Sequence, residues 1–371
     1  MMIGIVGKPS CGKSSFFKAL TNMDVKIASY PFTTLEPNKG VAFVKAKCPH
    51  TELGKKCDPN NSDCIDGIRL IPVKILDVAG LVPGAHLGRG RGNKFLDDLR
   101  QADALIHIVD MSGKTDENGL PTDNHDPLED IKWLREEIEL WVKGIIEKVW
   151  AKSDDSIIIK QLTGFTPKNE TIAQCIKDAG KDLRKLAHLV CERTKPMLIA
   201  ANKMDLPEAP KNFERITKIS KDKIVPCSAE LEIVLNLASS KGLAKYENGE
   251  ILIYDNANDQ QRNVLEKVRE FIESYGSTGV EKCVENVVFS LLNFIEVYPV
   301  ENENNWTDSK GRILPDVYLV PLGTTVKEFA SMVHTHLAKN FISAVDARRK
   351  MRVKEDYVLK KGDVIKIIAG K

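Results

Sequence analysis

Residues 7–14 have the sequence Gly7-Lys8-Pro9-Ser10-Cys11-Gly12-Lys13-Ser14, a complete G-x-x-x-x-G-K-S motif. The apolar run Ile3–Gly7 before it predicts a short strand, and the apolar-periodic segment Ser14–Thr21 after it predicts a helix. A phosphate-binding loop requires that context of strand, loop and helix. A glycine-rich turn that binds nothing is the alternative, and the context argues against it.

The residue types of this loop define its expected chemistry. Its glycines let successive backbone N–H groups converge on phosphate oxygens, aided by the dipole of the following helix. Lys13 is expected to contact the β- and γ-phosphates, and Ser14 to bind Mg²⁺. The predicted nucleotide contacts in the loop are therefore Gly7, Pro9, Ser10, Cys11, Gly12, Lys13, Ser14 and Ser15.

Two further segments follow in the order that a nucleotide switch requires. A D-x-x-G motif ends a predicted strand, where Asp77 would hold Mg²⁺ through water and the Gly80 amide would contact the γ-phosphate. Thr33 and Thr34 lie in a loop before the second strand, and one of them, preferably Thr34, could complete the magnesium shell. A simple proline turn is the alternative at those threonines.

The base-recognition signal is Asn202-Lys203-Met204-Asp205, at the end of a predicted strand. A carboxylate at Asp205 can accept hydrogen bonds from guanine N1–H and N2–H₂ together, whereas adenine offers no such pair of donors. Ser228 and Ala229 follow the next strand and would back the base with a main-chain amide. Behind a P-loop and D-x-x-G, this motif favours GTP over ATP.

The order of elements predicts an α/β fold with a mainly parallel sheet. Strands are expected at Lys39–Ala46, Arg69–Asp77, Ala104–Asp110, Pro196–Asn202 and Lys223–Cys227, with a helix at Asn93–Gln101. Two long helices, Pro127–Val149 and Glu170–Thr194, interrupt that order. Three domains are expected. A G domain in two parts takes residues 1–125 and 196–305, a helical insertion takes residues 126–195, and a small α+β domain takes residues 306–371. The last is expected to contain strands and one helix at Val317–Val320, Tyr357–Leu359, Val364–Ile368 and Val326–Leu337.

Composition limits the class of protein. The 371 residues are 42% hydrophobic and 29% charged, which excludes wholesale disorder. No apolar run approaches the ~18–20 residues of a membrane span, and the start of the chain is not a signal peptide. Eight cysteines scattered through a chain of this kind indicate reduced thiols, so we expect a cytoplasmic, monomeric protein without a membrane partner.

The net charge of +2 hides a segregation of charge. Residues Lys310–Lys371 contain 13 Lys+Arg against 6 Asp+Glu, a net of +7, which leaves 41 basic and 46 acidic residues elsewhere. The densest basic run contains Arg348, Arg349, Lys350 and Arg352. Such a run suits the phosphate backbone of RNA, and a solvated charged face is the alternative.

These motifs are similar to the G motifs of the Ras-like GTPases. Tyr30–Asn38 and Asp77–Ala85 resemble the Obg-related GTPases, and Leu314–Lys371 looks like a TGS domain, a β-grasp module. A G domain, a helical insertion and a terminal TGS domain together most resemble the YchF, or Obg-like ATPase, group in its archaeal form. The Drg family combines similar parts and is the nearest alternative.

Two departures from the resemblance bear on nucleotide and ion. Many YchF members carry glutamate at the position of Asp205 and prefer ATP, so the aspartate here favours GTP. Obg relatives usually have Asn-Val where this chain has Ser10-Cys11, and that asparagine is associated with a potassium ion, so K⁺ activation is doubtful.

The hydrolytic machinery is expected to be incomplete. Leu81 follows Gly80, where Ras-type sites place a water-orienting glutamine soon after the motif. We therefore predict slow turnover of GTP to GDP. His86 and His125 are candidates for positioning water, and a solvent-facing loop histidine is the alternative for each.

The leading hypothesis is a nucleotide-dependent switch that acts on the ribosome or ribosomal RNA through the TGS domain and switch loops. An Obg-like ATPase with a protein partner and an adaptor without turnover are the alternatives. Cys48, His50, Cys57 and Cys64 lie in one predicted loop, but they lack the C-x₂₋₄-C pairs of most structural zinc sites, so the spacing argues against metal.

Overall fold

The structure, a computed structural model, describes residues 1–21, 38–78, 80, 84, 92–150, 154–166, 168–247 and 249–370. These residues form two compact units. The first takes residues 1–21, 38–42 and 73–287, with the gaps given above, and the second takes 43–72 and 288–370.

The main sheet has its strands in the order β2-β4-β1-β5-β6-β7, with β3 antiparallel to β4. Its strands are β1 (Met2–Val6), β2 (Lys39–Lys47), β3 (Asp63–Ile65), β4 (Ile68–Asp77), β5 (Ala104–Asp110), β6 (Met197–Asn202) and β7 (Ile224–Pro226). Pairing is parallel from β4 through β1, β5 and β6 to β7. β5 is buried along its whole length, as parallel strands covered on both faces are. The predicted strands of this sheet are confirmed within a few residues.

Helices surround the sheet and extend into a helical block. They are α1 (Lys13–Thr21), α3 (Gly92–Gln101), α4 (Pro127–Trp150), α5 (Asp155–Leu162), α6 (Asn169–Ala179), α7 (Leu183–Thr194), α8 (Ala209–Ile219), α9 (Ala229–Ser240), α10 (Asp259–Tyr275) and α11 (Val280–Glu285), and a π-helical turn follows at 286–291; the short α2 (His50–Leu53) lies in the second unit. β8 (Ala244–Glu247) and β9 (Glu250–Ile253) form a separate hairpin.

The helical block differs from its prediction in one respect. The single helix expected over 170–194 is two helices, α6 and α7. Gly180 leaves α6 with a positive φ of 62°, and Asp182 then caps α7 by accepting a hydrogen bond from the Lys185 amide at 2.9 Å. A glycine stop followed by an aspartate cap is sufficient to divide the helix.

The block shares an apolar core with the sheet. Val6, Leu105, Leu134, Val142 and Leu186 are buried in one cluster. Three tryptophans of α4, Trp133, Trp141 and Trp150, pack partly buried against the same cluster. The block is therefore part of the first unit's core.

The second unit is built on a sheet with the order β11-β10-β14-β12-β13. Its elements are β10 (Phe294–Val300), β11 (Tyr318–Pro321), β12 (Phe341–Asp346), β13 (Met351–Val353), β14 (Val364–Ala369), α12 (Val326–Val333) and α13 (Thr335–Lys339). Val297, Phe329 and Ile365 are fully buried at its centre. β10 belongs to this sheet although it precedes residue 306, where sequence analysis begins the terminal domain; the domain boundaries stay predictions.

Two expectations for this unit are wrong, and one of its hairpins was not predicted. Residues 357–359 are not a strand, because only Val358 pairs, with Thr325, as an isolated bridge. The helix expected over 326–337 divides at His334, whose Nδ1 accepts the His336 amide at 3.1 Å and starts α13. The hairpin of β12 and β13 was not expected, because β13 carries the basic run. Over the described residues, no helix combines the length and apolarity needed to cross a membrane.

Candidate nucleotide site

The loop between β1 and α1 is shaped by glycines that no other residue can replace. A Cβ on Gly7 would lie 2.7 Å from the Ile108 carbonyl oxygen and 2.8 Å from Cys11 Sγ. Gly12 has a φ of 93°, and a Cβ there would lie 2.3 Å from Asn202 Nδ2. Close approach at Gly12 and its positive φ both require glycine, so the loop closes against β5 and the end of β6.

The P-loop lysine meets the D-x-x-G segment. Lys13 Nζ donates to Asp77 Oδ1 at 3.1 Å and to the Val78 carbonyl at 2.8 Å. Parallel pairing of β1 and β4 places Ile5 opposite Asp77, so the loop and the motif leave the same edge of the sheet. The predicted residues Lys13 and Asp77 are thus brought together at the carboxyl ends of the strands.

The N-K-x-D motif is joined to the same loop by hydrogen bonds. Buried Asn202 donates from Nδ2 to the Cys11 carbonyl at 3.0 Å and accepts at Oδ1 from the Ala229 amide at 3.0 Å. Lys203, with a φ of 62°, donates to the Ser10 carbonyl at 2.9 Å. Asn202 therefore connects the phosphate loop to the segment after β7, and Lys203 adds a second link to that loop.

Asp110, which sequence analysis left without a role, anchors Lys203. It ends β5, is fully buried, and lies 2.7 Å from Lys203 Nζ through Oδ2. Ser112 and Thr115 donate to the same carboxylate. Burial favours a higher pKa for Asp110, but the hydrogen bonds from Lys203 and Ser112 outweigh it and lower the pKa below its usual value. A carboxylate ending an apolar strand beside the P-loop strand was the signal available in the sequence.

A second buried pair links the P-loop to the helical block. Lys8 Nζ lies 2.7 Å from Asp130 Oδ2, and the two side chains are only 2% and 3% exposed. Lys8 also donates to the Thr115 carbonyl at 2.6 Å. Burial raises the pKa of Asp130, and the adjacent Lys8 opposes that rise. These partners are 122 positions apart, so no local pattern could predict the pair.

His125 is held in this network. Its Nε2 lies 2.8 Å from Asp130 Oδ1, and its side chain is 12% exposed. The ring is thereby fixed beside the P-loop lysine pair. Whether His125 acts on the attacking water stays a prediction.

The two ends of the base-recognition segment differ in exposure. Asp205 is exposed, and its carboxylate has no hydrogen bond or ion pair with any other described residue. Ser228 is buried and caps α9, with Oγ accepting the Leu231 amide at 3.2 Å. The Ser228 hydroxyl therefore serves the helix, and Asp205 is free to accept hydrogen bonds.

The remaining predicted residues divide into two groups. Thr33, Thr34, Leu81 and His86 lie outside the described residues. In the second unit, Arg348 is paired with Glu52 and Arg349 lies 3.5 Å from Asp346. Lys350 and Arg352 are exposed and have no partner among the described side chains, so the predicted RNA surface stays a prediction with two of its four cations occupied.

Three family profiles match the chain. Residues 2–148 match the family described as a 50S ribosome-binding GTPase. Residues 200–302 match an Obg-like GTPase domain of the YGR210-like type that contains the G4 motif, and residues 309–369 match the TGS domain.

Relatives are similar over nearly the full chain. The GTP-binding protein MJ1332 of Methanocaldococcus jannaschii is 49% identical, over 100% of this chain and 99% of the relative. The GTP-binding protein C428.15 of Schizosaccharomyces pombe is 34% identical, over 90% of each. The ribosome-binding ATPase YchF of Bacillus subtilis is 26% identical, over 98% and 97%.

A solved structure gives the same result. The crystal structure of a GTP-binding protein from Pyrococcus horikoshii matches with a TM-score of 0.80 and 35% identity, covering both chains completely. The resemblance found in the sequence is confirmed, and the Drg alternative is not needed. The chain belongs to the YchF-like, Obg-related family of GTP-binding proteins, with a P-loop GTPase domain and a C-terminal TGS domain.

Proposed function

We propose that this chain binds GTP in preference to ATP with Mg²⁺, hydrolyses it slowly, and acts as a nucleotide-dependent switch on the ribosome. The observation that carries the proposal is the connection of N-K-x-D to the P-loop through Asn202 and Lys203. Because the base-recognition and phosphate-binding segments are hydrogen-bonded to each other, the base and the phosphates are recognised by one preorganised structure.

Guanine preference is supported by the state of Asp205. Its carboxylate is exposed and has no partner among the described residues, so both oxygens can accept from guanine N1–H and N2–H₂. Adenine would leave the carboxylate unpaired in a site built to be paired, which gives strong discrimination. Adenine has no pair of donors for the Asp205 carboxylate, so this position argues against the ATPase alternative.

Magnesium fits the residues at the end of β1 and β4. A hydroxyl at Ser14 and a carboxylate at Asp77 are the hard oxygen donors that Mg²⁺ prefers. Asp77 contacts Lys13 directly, so its carboxylate is already at the phosphate loop. When bound, Mg²⁺ would neutralise charge on the β- and γ-phosphates, while Lys13 holds their oxygens. The sequence Ser10-Cys11 in the loop, where Obg relatives usually have Asn-Val, argues against potassium activation.

Slow hydrolysis is supported by residue type at position 81. The leucine side chain cannot hydrogen-bond a water, so another group must orient it. His125 is placed at the P-loop network and His86 follows D-x-x-G in sequence. Single-turnover hydrolysis with His86→Ala and His125→Ala tests both, and unchanged rates in both variants would exclude them.

Ribosome binding is supported by the descriptions of similar proteins and by the charge of the TGS domain. A relative is named a ribosome-binding ATPase, and the profile matching residues 2–148 is named for 50S binding. The TGS domain carries the basic excess, and exposed Lys350 and Arg352 present it to solvent. Phosphate contacts of this kind position a protein on RNA without reading sequence.

Sedimentation with ribosomal subunits at two salt concentrations tests the switch. We expect co-sedimentation in the GTP analogue, less in GDP, and weaker binding at high salt. Equal sedimentation in both nucleotides would contradict a switch. Retention of nucleotide without turnover, even with ribosomes added, would instead support the adaptor alternative.

A further inference from the structure

Four potential metal ligands converge in the second unit, where neither the nucleotide site nor the family assigns them a role. Cys48 follows β2, His50 begins α2, Cys57 lies in the next loop and Cys64 lies in β3. One side-chain ligand atom from each of these four residues, the Cys–His cluster, lies within 4.8 Å of every other. Cys48 and Cys57 are buried, and His50 and Cys64 are partly buried.

Two distances between the ligand atoms are close to those around a tetrahedral ion, and the others do not exceed 4.8 Å. Cys48 Sγ and Cys57 Sγ are 3.9 Å apart, and Cys64 Sγ is 3.7 Å from His50 Nδ1. A tetrahedral zinc ion with bonds of about 2.3 Å to sulfur and about 2.0–2.1 Å to nitrogen places its ligands about 3.6–3.8 Å apart. A disulfide would need sulfurs at about 2.05 Å, far closer than these.

The fold supplies the convergence that the spacing in the sequence did not suggest. Asp66 and Gly67, with φ values of 48° and 81°, form a two-residue turn between β3 and β4. The Cys48 amide donates to the Gly67 carbonyl at 2.8 Å, which holds the end of β2 against this hairpin. The hairpin therefore brings Cys64 back to Cys48 and takes the place of a C-x₂₋₄-C pair.

A buried cation beside the cluster lacks a carboxylate. Arg69 is fully buried, and its guanidinium donates to neutral oxygens, Ser62 Oγ at 3.0 Å and the Leu314 carbonyl at 2.5 Å. Among the described residues, its Nε has no hydrogen-bond partner and no carboxylate pairs with it; its Cζ lies 5.5 Å from the centre of the Tyr298 ring. Arg69 lies directly opposite Cys64 in the antiparallel pairing of β3 and β4, which places it at the cluster. A buried charge is costly unless it is compensated.

A zinc ion on the cluster would provide that compensation. Three thiolates, a neutral imidazole and a divalent cation carry a net charge of −1. The single positive charge of Arg69 balances it.

We propose that Cys48, His50, Cys57 and Cys64 bind one zinc ion in a closed, four-coordinate structural site. Four protein ligands leave no position for substrate, so the site stabilises structure and does not catalyse. Three thiolates favour zinc over magnesium or calcium, which prefer oxygen.

The metal would order the loop that holds the start of the terminal domain. Between the ligands Cys57 and Cys64, the Asp58 amide donates to the Ile313 carbonyl at 2.9 Å and the Asn60 amide donates to the Pro315 carbonyl at 2.7 Å. Asn61 exchanges hydrogen bonds with the Val317 backbone, each 3.0 Å long. Loss of zinc should therefore loosen residues 312–317 from residues 58–61.

Metal analysis of the full chain tests the proposal directly. After purification without chelator, elemental mass spectrometry should find about one zinc ion per chain. Replacement by Co²⁺ should give intense visible bands of a tetrahedral ion together with thiolate-to-cobalt charge transfer. Zinc well below one per chain, an octahedral cobalt spectrum without charge transfer, or a disulfide between Cys48 and Cys57 in freshly prepared protein would overturn the proposal.

Variants separate these ligands from other cysteines. Cys57→Ser should lose most of the zinc, and Cys175→Ser, a buried cysteine of α6 in the other unit, should keep it. His50→Cys should keep zinc and move the cobalt spectrum toward four thiolates, whereas His50→Ala should weaken binding. Zinc content unchanged in both Cys57→Ser and His50→Ala would contradict the assignment. If Cys57→Ser does not fold, the wild-type cobalt spectrum still decides.

Discussion

Buried cations in the two units are neutralised in different ways. In the first unit, buried Lys8 pairs with Asp130, and partly exposed Lys203 pairs with buried Asp110, so each positive charge has a carboxylate in the chain. In the second unit, Arg69 is as deeply buried but donates only to a hydroxyl and a carbonyl, beside the Cys–His cluster. The first arrangement is complete in the polypeptide alone, whereas the second becomes neutral when zinc binds.

This difference predicts how each unit depends on its ligands. The ion pairs of the first unit should preorganise the P-loop and N-K-x-D before nucleotide binds. The second unit should be more stable and better ordered with metal than without it, because metal binding to a site made by folding contributes to folding. Four changes test the contrast.

The largest effect is expected from Lys8→Met, which removes the lysine partner of buried Asp130 and leaves its carboxylate only the contact with His125. Breaking one side of a buried pair typically lowers the free energy of unfolding by about 3–5 kcal/mol. Urea unfolding at pH 7 measures the loss, which should be the same with and without zinc chelation. The double variant Lys8→Met/Asp130→Leu is the control, because it removes both charges and should recover most of the loss; no recovery would contradict a paired-charge role.

Unlike Lys8→Met, Arg69→Met should have an effect on stability that depends on zinc. In zinc-loaded protein it leaves the cluster's negative charge uncompensated and should cost about 3 kcal/mol in unfolding free energy. In chelator-treated protein, which lacks the zinc-bound cluster, the cost should be less than half as large. Unfolding with and without zinc measures both values, and equal costs would refute charge compensation at this site.

Asp205→Asn tests the nucleotide specificity of the first unit and leaves the Lys8–Asp130 and Lys203–Asp110 pairs unchanged. Losing a carboxylate acceptor for guanine should weaken GTP about 100-fold, since hydrogen bonds to a charged group are worth about 1.5–3 kcal/mol each. An asparagine can instead donate to O2 of xanthine, so xanthosine triphosphate should bind better than GTP. Displacement of a fluorescent GDP analogue measures both, and unchanged GTP affinity would remove Asp205 from base recognition.

A smaller effect is expected at His107, a buried group whose ring has no hydrogen-bond partner in the described part of the chain. It lies in β5, and both ring nitrogens lack a hydrogen bond to any described residue. Burial lowers the pKa of His107 from 6.5 to about 3. Since the unfolded chain binds the proton more readily between those pH values, stability falls as pH decreases from about 6.5 toward about 3.

His107→Leu should remove that acid sensitivity. Wild type should lose about 2 kcal/mol between pH 7 and pH 5 through this group, and the variant should not. Unfolding of both proteins at the two pH values gives the difference. Parallel pH profiles would show that His107 does not titrate as burial requires.

Contiguous motifs account for what sequence could predict. Gly7–Ser14 and Asn202–Asp205 carry their chemistry within a few residues, and their strands are apolar enough to be recognised. The structure then joins them through Gly12, where Asn202 Nδ2 occupies the space a Cβ would need. Local sequence was sufficient because each side chain acts near its own strand end.

Long-range geometry accounts for what sequence could not predict. Lys8 and Asp130 come together because α4 packs against the sheet. Their distance along the chain follows no helix or strand pattern that would predict the contact. The spacing of Cys48, His50, Cys57 and Cys64 in the sequence argues against a metal site. The Asp66-Gly67 turn closes the cluster, but in the sequence it indicates only a hairpin and not which cysteines the hairpin brings together. β13 was missed because it has only three residues, with Arg352 at its centre, directly after the charges of Arg348, Arg349 and Lys350.

Guanine specificity is the central claim, and equilibrium titration of the unmodified chain with GTP and with ATP, both with Mg²⁺, tests it most directly. We expect a dissociation constant for GTP at least about 100-fold lower than for ATP, because Asp205 can pair with both guanine donors and adenine offers no such pair. Equal constants, or tighter binding of ATP, would contradict it.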